Sequence, residues 1–412
     1  MNFIKRQPPG RLIAAGFALV ILAGAALLML PVSVRDGAQG TPIDALFTST
    51  SAVCVTGLIA IDPADHFTVF GRTIVALLIQ VGGLGVTSVG VGFILVAGKR
   101  VGFKSRLLVR EAMNMENGKG IVRLVKSILL MTLCFEGAGA LLSFLVFVQD
   151  HPPVEAIGIS IFHSIAAFNN SGFDILGGLQ NLIPYQNNLL LNLTTAGLII
   201  FGGLGFLVIL DILKKRSFRA LALHSKVVIV MSAVLILLGT LLLKVTENVT
   251  YPIGSFTDAG LFVLILLMFV GASPGSTGGG IKTTTLFALL QATRSAATGR
   301  MPTAFRRTVA GEVVQKAFIV TLLSAFVVCG GTFILCLLEP DLTFLQLLFE
   351  ATSAFGTVGL STGITPQLQP ASKLIVILIM YTGRIGPLTV ASLWAFRTEQ
   401  HVWYSEETIT IG

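Results

Sequence analysis

Long apolar runs, separated by short polar connections, follow one another along almost the whole chain. Runs near 11–31, 70–97, 125–148, 187–210, 226–245, 257–290, 317–338 and 372–396 each reach the roughly 20 residues that a helix needs to cross a bilayer. The pattern predicts an all-α membrane protein with about eight transmembrane helices. The first run, Leu12–Leu30, leads into the turn signal Pro31-Val32-Ser33 without a small-residue cleavage site. It therefore reads as a retained helix and not a signal peptide. The run at 257–290 is too long and too rich in glycine to be a simple rod.

Composition supports the same class. Of 412 residues, 54% are hydrophobic and 12% are charged, whereas soluble domains carry about 25% charged residues. The net charge of +8 raises the question of a nucleic-acid partner, but its distribution argues for topology instead. Lys5, Arg6 and Arg11, three alternate connections (Lys99–Lys126, Lys214–Lys226 and Arg294–Lys316) and Arg397 together hold 22 of the 28 Lys and Arg. The other connections carry acids, among them Asp36, Asp44, Asp62, Asp65, Asp150, Glu155, Asp174, Glu247, Asp258, Glu339, Asp341 and Glu350. The positive-inside rule then places both termini in the cytoplasm of a multi-pass cell-membrane protein. An acidic outer face suits a protein that collects cations. The four cysteines lie in or beside apolar runs and show no metal-ligand spacing or disulfide framework.

An internal repeat organises the chain. Ser51–Leu58 lines up with Ala166–Phe173 and with Ser353–Leu360, and a glycine falls at the same place in each: Gly57, Gly172 and Gly359. A second landmark follows in the next helix, as Gly82-Gly83-Leu84-Gly85, Gly202-Gly203-Leu204-Gly205 and Gly383-Arg384-Ile385-Gly386. A single Thr-Gly or Ser-Gly pair is an ordinary turn signal, but three aligned copies between spans require a common structure. Irregular backbone at membrane depth is tolerated where it is buried in protein or lines a water-filled path. Short helices such as Ile43–Ala52 and Val154–Ala167 would descend partway from outside, and the residues after them would turn their carbonyls toward a central axis. Such carbonyl rings replace the hydration shell of a cation, and the negative end of each short helix helps.

Gly271-Ala272-Ser273-Pro274-Gly275-Ser276-Thr277-Gly278-Gly279-Gly280 interrupts the sixth run. It is not a phosphate-binding loop: Ile281 separates Gly280 from Lys282, and no strand precedes it. Close packing of small residues would need neither Pro274 nor so many glycines, so a broken helix inside the protein is the better reading. Arg384 replaces the middle glycine of the helix motif within an apolar run, where an ionisable group is costly and usually functional. It is expected to face the pathway and hold the broken segment, in preference to snorkelling to water. Lys282 and Glu136 are weaker candidates.

These residues resemble the Trk/Ktr/HKT superfamily of potassium transporters, and within it the bacterial KtrB-type (NtpJ-like) membrane subunit. The resemblance rests on Asp44–Leu58, Ile161–Asp174, Phe269–Thr285 and Phe349–Gly363, and it runs over residues 10 to 396. It implies four pseudo-symmetric helix–pore loop–helix repeats around one pore: 1–98 (pore loop 42–60), 99–214 (153–175), 215–298 and 299–412 (342–364). It implies a potassium selectivity filter formed by Cys54, Val55, Thr56 and Gly57, by Asn169, Asn170, Ser171 and Gly172, and by Gly356, Thr357, Val358 and Gly359. Glycine in the first loop goes with potassium preference in the family. The segment 271–280 would be an intramembrane gate. The resemblance further implies a homodimer, a cytoplasmic ring of nucleotide-binding regulators of the KtrA or TrkA kind docked on the basic inner loops, and flux that is passive or stimulated by sodium.

The third repeat departs from this pattern. The fourth repeat has about 33 residues between its two apolar runs, and the third has 11, Thr246–Phe256. Eleven residues cannot supply both a descending helix and a filter strand. Either the protein lacks one quarter of the filter, which would lower selectivity, or a segment is missing from the sequence. The residues contain no nucleophile–base pair, metal cluster or nucleotide motif, so an enzyme is not expected, nor is any covalently bound cofactor. Potassium would be cargo, with sodium as a second candidate ion. The competing class is a secondary transporter of another small solute, since broken helices mark such sites too. A membrane scaffold would leave the aligned glycines unexplained.

Overall fold

The computed structural model describes residues 8–97, 101–112, 120–247 and 253–392. Lys5, Arg6, Lys99, Arg100, Lys119, Arg397 and the C-terminal tail lie outside the described residues. The first unit consists of α1 (Pro9–Leu28), α2 (Pro42–Cys54), α3 (Val69–Leu84) and α4 (Val86–Val96). The second consists of α5 (Ile121–Phe147), α6 (Pro153–Phe168), α7 (Leu189–Leu204) and α8 (Phe206–Lys215). The third has α9 (Leu223–Thr246), α10 (Asp258–Phe269) and α11 (Thr283–Thr298). The fourth has α12 (Gly311–Leu338), α13 (Phe344–Gly356), α14 (Pro370–Ile385) and α15 (Pro387–Ser392). A small hairpin pairs Thr303–Ala304 with Arg307–Thr308.

The opening helix of every unit is continuous. α1, α5, α9 and α12 are 20 to 28 residues long and apolar throughout, so the longest reaches about 42 Å at 1.5 Å per residue. Only 22–33% of the most apolar stretch of each is buried against protein. Leu19, Leu237 and Phe326 are among the side chains left outward. That is the reverse of a soluble core, and it fits helices whose outer face meets lipid. The short helices α2 and α13 are the most enclosed elements, with Thr48, Ser49, Thr50 and Ser51 of α2 buried in the interior. Capping boxes fix their starts: Thr41 with Asp44 for α2, and Thr343 with Gln346 for α13. Each box satisfies orphan amides at a helix start whose first residues are exposed.

The closing helix of every unit is broken. α3 and α4 meet at 99°, and α7 and α8 at 96°, so the runs at 70–97 and 187–210 are sharply bent pairs. The breaks fall at Gly85, Gly205 and Gly386, all with φ between 82° and 96°. That region is open to glycine and strained for other residues. The last glycine of each aligned motif is thus the helix breaker. The run at 257–290 divides into α10 and α11 around an irregular segment, residues 270–281, whose ends meet in a parallel bridge between Val270 and Ile281.

Packing joins the units in a circle. α14 of the fourth unit packs on α2 of the first, and α10 of the third packs on α13 of the fourth. In the third unit, among the described residues, the connection from α9 to α10 holds one 3-10 turn, Ile253–Ser255, and no short helix.

Candidate functional site

The three predicted filter segments begin with the same local geometry. α2, α6 and α13 each end in a residue with left-handed backbone two places before the filter glycine: Val55 (φ 59°), Asn170 (φ 59°) and Thr357 (φ 50°). Their amides donate to Ala52 O, Ala167 O and Ala354 O at 3.1, 3.1 and 3.2 Å. The next amides, of Thr56, Ser171 and Val358, reach back to Ser51 O, Ala166 O and Ser353 O at 2.8, 2.8 and 3.0 Å. This paired closure is a Schellman turn. Without glycine at the left-handed position, such a turn costs on the order of 1–3 kcal/mol and persists only where its surroundings enforce it. A glycine with φ between 70° and 87° follows each time, at Gly57, Gly172 and Gly359.

These glycines converge. Where a side chain would leave Gly57 stands the carbonyl oxygen of Ser171, and at Gly359 stands that of Thr56. At Gly172 the corresponding direction meets Val358 O at 3.9 Å. Each glycine therefore faces the carbonyl that precedes the glycine of another unit, in a closed cycle of the first, second and fourth units. Among the described residues, the segments of the first, second and fourth units thus meet one another directly.

The helix glycines explain the second landmark. Gly82, Gly202 and Gly383 lie directly against the carbonyls of Val53, Phe168 and Phe355, each four residues before its unit's filter glycine. No Cβ fits at any of the three. Gly83 is pressed onto the Asn169 side chain, whereas Gly203 has open space around it.

The glycine-rich segment spans the gap between the second and fourth units. Thr277 N and Ser273 N donate to Gly202 O and Gly203 O at 3.3 and 3.1 Å, and the Thr277 hydroxyl is hydrogen-bonded to the Asn170 amide at 2.8 Å. On the other side, Gly279 N donates to Thr357 Oγ1 at 2.7 Å. Gly280, at φ 69°, lies against Gly271 and Gly356. Gly275, at φ 72°, makes the outer turn with Pro274 and Ser276, and Gly275 O accepts from Phe206 N at 3.1 Å. Gly278 is packed on Ala272. Arg384 donates to the carbonyls of Thr277 and Gly82, and to that of Gly83 at 3.3 Å. Its fork thus ties the glycine-rich segment to the first unit's helix. Lys282 Nζ donates to Gly278 O at 2.7 Å and Gly279 O at 3.2 Å. Both cations answer otherwise free carbonyls of a segment that has no helix ladder.

Other residues were harder to find from sequence. Glu136 is buried and accepts from Gln80 Nε2 at 3.2 Å and from Asn169 Nδ2 at 3.1 Å. It meets a neighbouring helix and a predicted filter residue at once. Gln80 carried no motif signal. Glu350 and Asp174, grouped by sequence with the outer acids, are buried. Burial pushes the Asp174 carboxyl up to about 6, with the charges of Asp62 and Asp65 adding and a hydrogen bond from Leu176 N at 2.9 Å opposing. Asp62 and Asp65 accept from Leu179 N and Gly178 N at 2.8 and 3.1 Å. They thereby join the connections that follow Gly57 and Gly172 in the first two units.

A family model described as TrkH, cation transport protein, matches residues 13–246 and 248–404. The chain belongs to the TrkH family of cation transport proteins. The match is broken at residue 247, where α9 ends. Among relatives, the chain is 36% identical to the Ktr system potassium uptake protein B of Bacillus subtilis, with 100% of this chain and 98% of that protein covered. That alignment runs over 451 positions against the 412 residues here, leaving 39 positions without a residue in this chain. The chain is also 36% identical to the potassium/sodium uptake protein NtpJ of Enterococcus hirae, over 99% of this chain and 98% of that protein. The solved potassium transporter TrkH of Vibrio parahaemolyticus has the same fold, with a TM-score of 0.69, 19% identity, and 95% and 86% of the two chains covered. TrkH-family proteins are ion transporters and not enzymes.

Proposed function

We propose that this TrkH-family chain carries potassium into the cell through a filter built from three backbone turns. The observation that carries this reading is the cycle of Gly57, Gly172 and Gly359 with the carbonyls of Thr56, Ser171 and Val358. Backbone carbonyls held at fixed spacing can replace the water around a monovalent cation. The names of the relatives, potassium uptake and potassium/sodium uptake, agree with that cargo. Fewer carbonyls than a four-part ring supplies give weaker discrimination, so sodium is expected to compete better here than in a four-part filter. Stimulation of the flux by sodium belongs to the same reading.

In this reading Gly271–Gly280, braced by Arg384, obstructs the path beneath the filter and acts as its gate. The chain sits in the cell membrane with both termini inside, as a homodimer. A separate nucleotide-binding ring docks on the basic inner connections and moves the gate. Expression in cells that lack their own potassium uptake, with rubidium influx as the readout, tests the function. Growth at low potassium together with saturable rubidium influx supports it, and neither growth nor influx from a chain that reaches the membrane overturns it.

A further inference from the structure

Glu350 is the only acid among the described residues whose carboxylate joins a predicted pore helix directly to the strand that leaves its filter. It lies on α13, nine residues before Gly359, and is fully buried. Its Oε2 accepts from Ser361 Oγ at 2.9 Å, and its Oε1 accepts from Thr365 Oγ1. Ser361 Oγ in turn accepts from Gly363 N at 3.0 Å and stands 3.1 Å from Thr365 Oγ1. One carboxylate therefore holds both ends of the turn Ser361–Thr365, where Gly363 has φ 93°. That turn fixes the direction in which the chain leaves Gly359.

The repeat shows what is special about this contact. Nine residues before the filter glycine stand Thr48 in the first unit and His163 in the second, and two residues after it stand Ile59 and Asp174. Thr48 Oγ1 is buried without a partner. His163 turns to Thr195 Oγ1 on α7, at 3.0 Å, and shares with Asp174 the lining of a small cavity of about 10 Å³. In the first unit a different contact, Gly57 N to Ser51 Oγ at 3.1 Å, holds the filter glycine itself. Ser353, which matches Ser51 in the fourth unit, has no partner for its hydroxyl. The fourth strand is thus held from its outer end by Glu350 in place of the inner contact used by the first.

We propose that Glu350 is a positioning residue for ion discrimination: through Ser361 and Thr365 it fixes the fourth filter strand so that Val358 O and Gly359 keep their place in the ring. It touches no ion. Hydrogen bonds to a carboxylate are shorter and stronger than neutral ones, which suits a brace on a strand with no ladder of its own. This rests on the filter reading above, and the experiment separates the two. Rubidium influx and its inhibition by sodium are measured in cells lacking potassium uptake, for the full chain, Glu350→Ala, Glu350→Gln and the double variant Ser361→Ala with Thr365→Ala. Loss of a charge-assisted brace is expected to lower the preference for rubidium over sodium about tenfold in Glu350→Ala. The double variant should follow it, and Glu350→Gln, which keeps one acceptor, should recover most of the loss. Preferences within about twofold of the parent in both Glu350→Ala and the double variant, a margin well inside the worth of one such bond, overturn the proposal and leave the transport reading standing. No influx from the parent chain overturns both. If Glu350→Ala does not reach the membrane, the double variant, which leaves α13 intact, decides the matter.

Discussion

The ammonium of Lys373 meets the carboxylate of Asp44 at 2.7 Å, joining residues 329 positions apart. Lys373 lies on α14, and Asp44 is in the first turn of α2, where it also accepts from Thr41. Both side chains are about nine-tenths buried. This ion pair ties the fourth unit to the first, beside the Arg384 contacts with Gly82 and Gly83. Removing one member leaves an uncompensated buried charge, at a cost of about 3–5 kcal/mol. Asp44→Ala and Lys373→Ala should each lower the thermal midpoint in detergent, and Asp44→Leu with Lys373→Met should regain most of it. A single variant that melts with the parent contradicts the closing role.

Alanine is expected to separate Gly202 from its neighbour Gly203. A Cβ at Gly202 has no room against Phe168 O, whereas at Gly203 the nearest atom is Asn170 Nδ2 at 4.0 Å. Gly202→Ala should lose folding or transport altogether, while Gly203→Ala should keep both, as measured by size-exclusion profile and rubidium influx. Equal behaviour of the two would mean that the packing of α7 on the end of α6 is not what the second landmark preserves.

Releasing Arg384 should free the glycine-rich segment from the first unit. Arg384→Ala removes the donors to Thr277 O, Gly82 O and Gly83 O and is expected to change the rate of rubidium influx severalfold. Arg384→Lys should rescue it poorly, because one ammonium cannot reproduce a planar fork that spans two units. Unchanged influx and unchanged regulation in Arg384→Ala would remove this residue from the gate.

Asp174 should give transport a dependence on outer pH. With its carboxyl raised to about 6, it is neutral at lower pH and gains its charge as pH rises through that value. Uptake at low external potassium should therefore climb between about pH 5 and pH 7, because an anionic mouth concentrates cations. In Asp174→Asn the step should be absent and uptake should stay at the low-pH level. The folded value lies above the ordinary 3.8, so ionisation opposes folding increasingly from about pH 4 to pH 6. Asp174→Asn should consequently be the more heat-stable protein at neutral pH. A parent chain with a flat profile would show that this carboxylate does not bear on the pathway.

Much of the fold was legible because lipid permits few backbones. Four straight helices could be placed from hydropathy alone, and the aligned glycines marked both the short-helix ends and the helices packed on them. The bends at Gly85 and Gly205 were not legible as angles, because an apolar run reads the same whether straight or folded back. The short third connection was visible as a count of residues, but the count does not say how the remaining three segments close up. That depends on Gly172 coming within reach of Val358 O, a contact between distant units with no local signature. Glu136 and Glu350 were visible as acids, but their partners Gln80, Ser361 and Thr365 lie in segments with no motif. Val55 and Thr357 were the least expected, since β-branched residues avoid left-handed backbone and only the surrounding packing holds them there.

The breaks at Gly85, Gly205 and Gly386 give each closing helix two mechanically separate halves. The outer half is wedged by Gly82, Gly202 or Gly383 against a pore-helix end and cannot shift without disturbing the filter turns. The half that follows the glycine shares no helix ladder across it and packs instead on neighbouring helices. On the proposed reading of 271–280 as a gate, a displacement of the halves that follow these glycines need not pass through a helix ladder to the glycine cycle. Opening and ion discrimination could then be altered independently, by substitutions on opposite sides of three glycines.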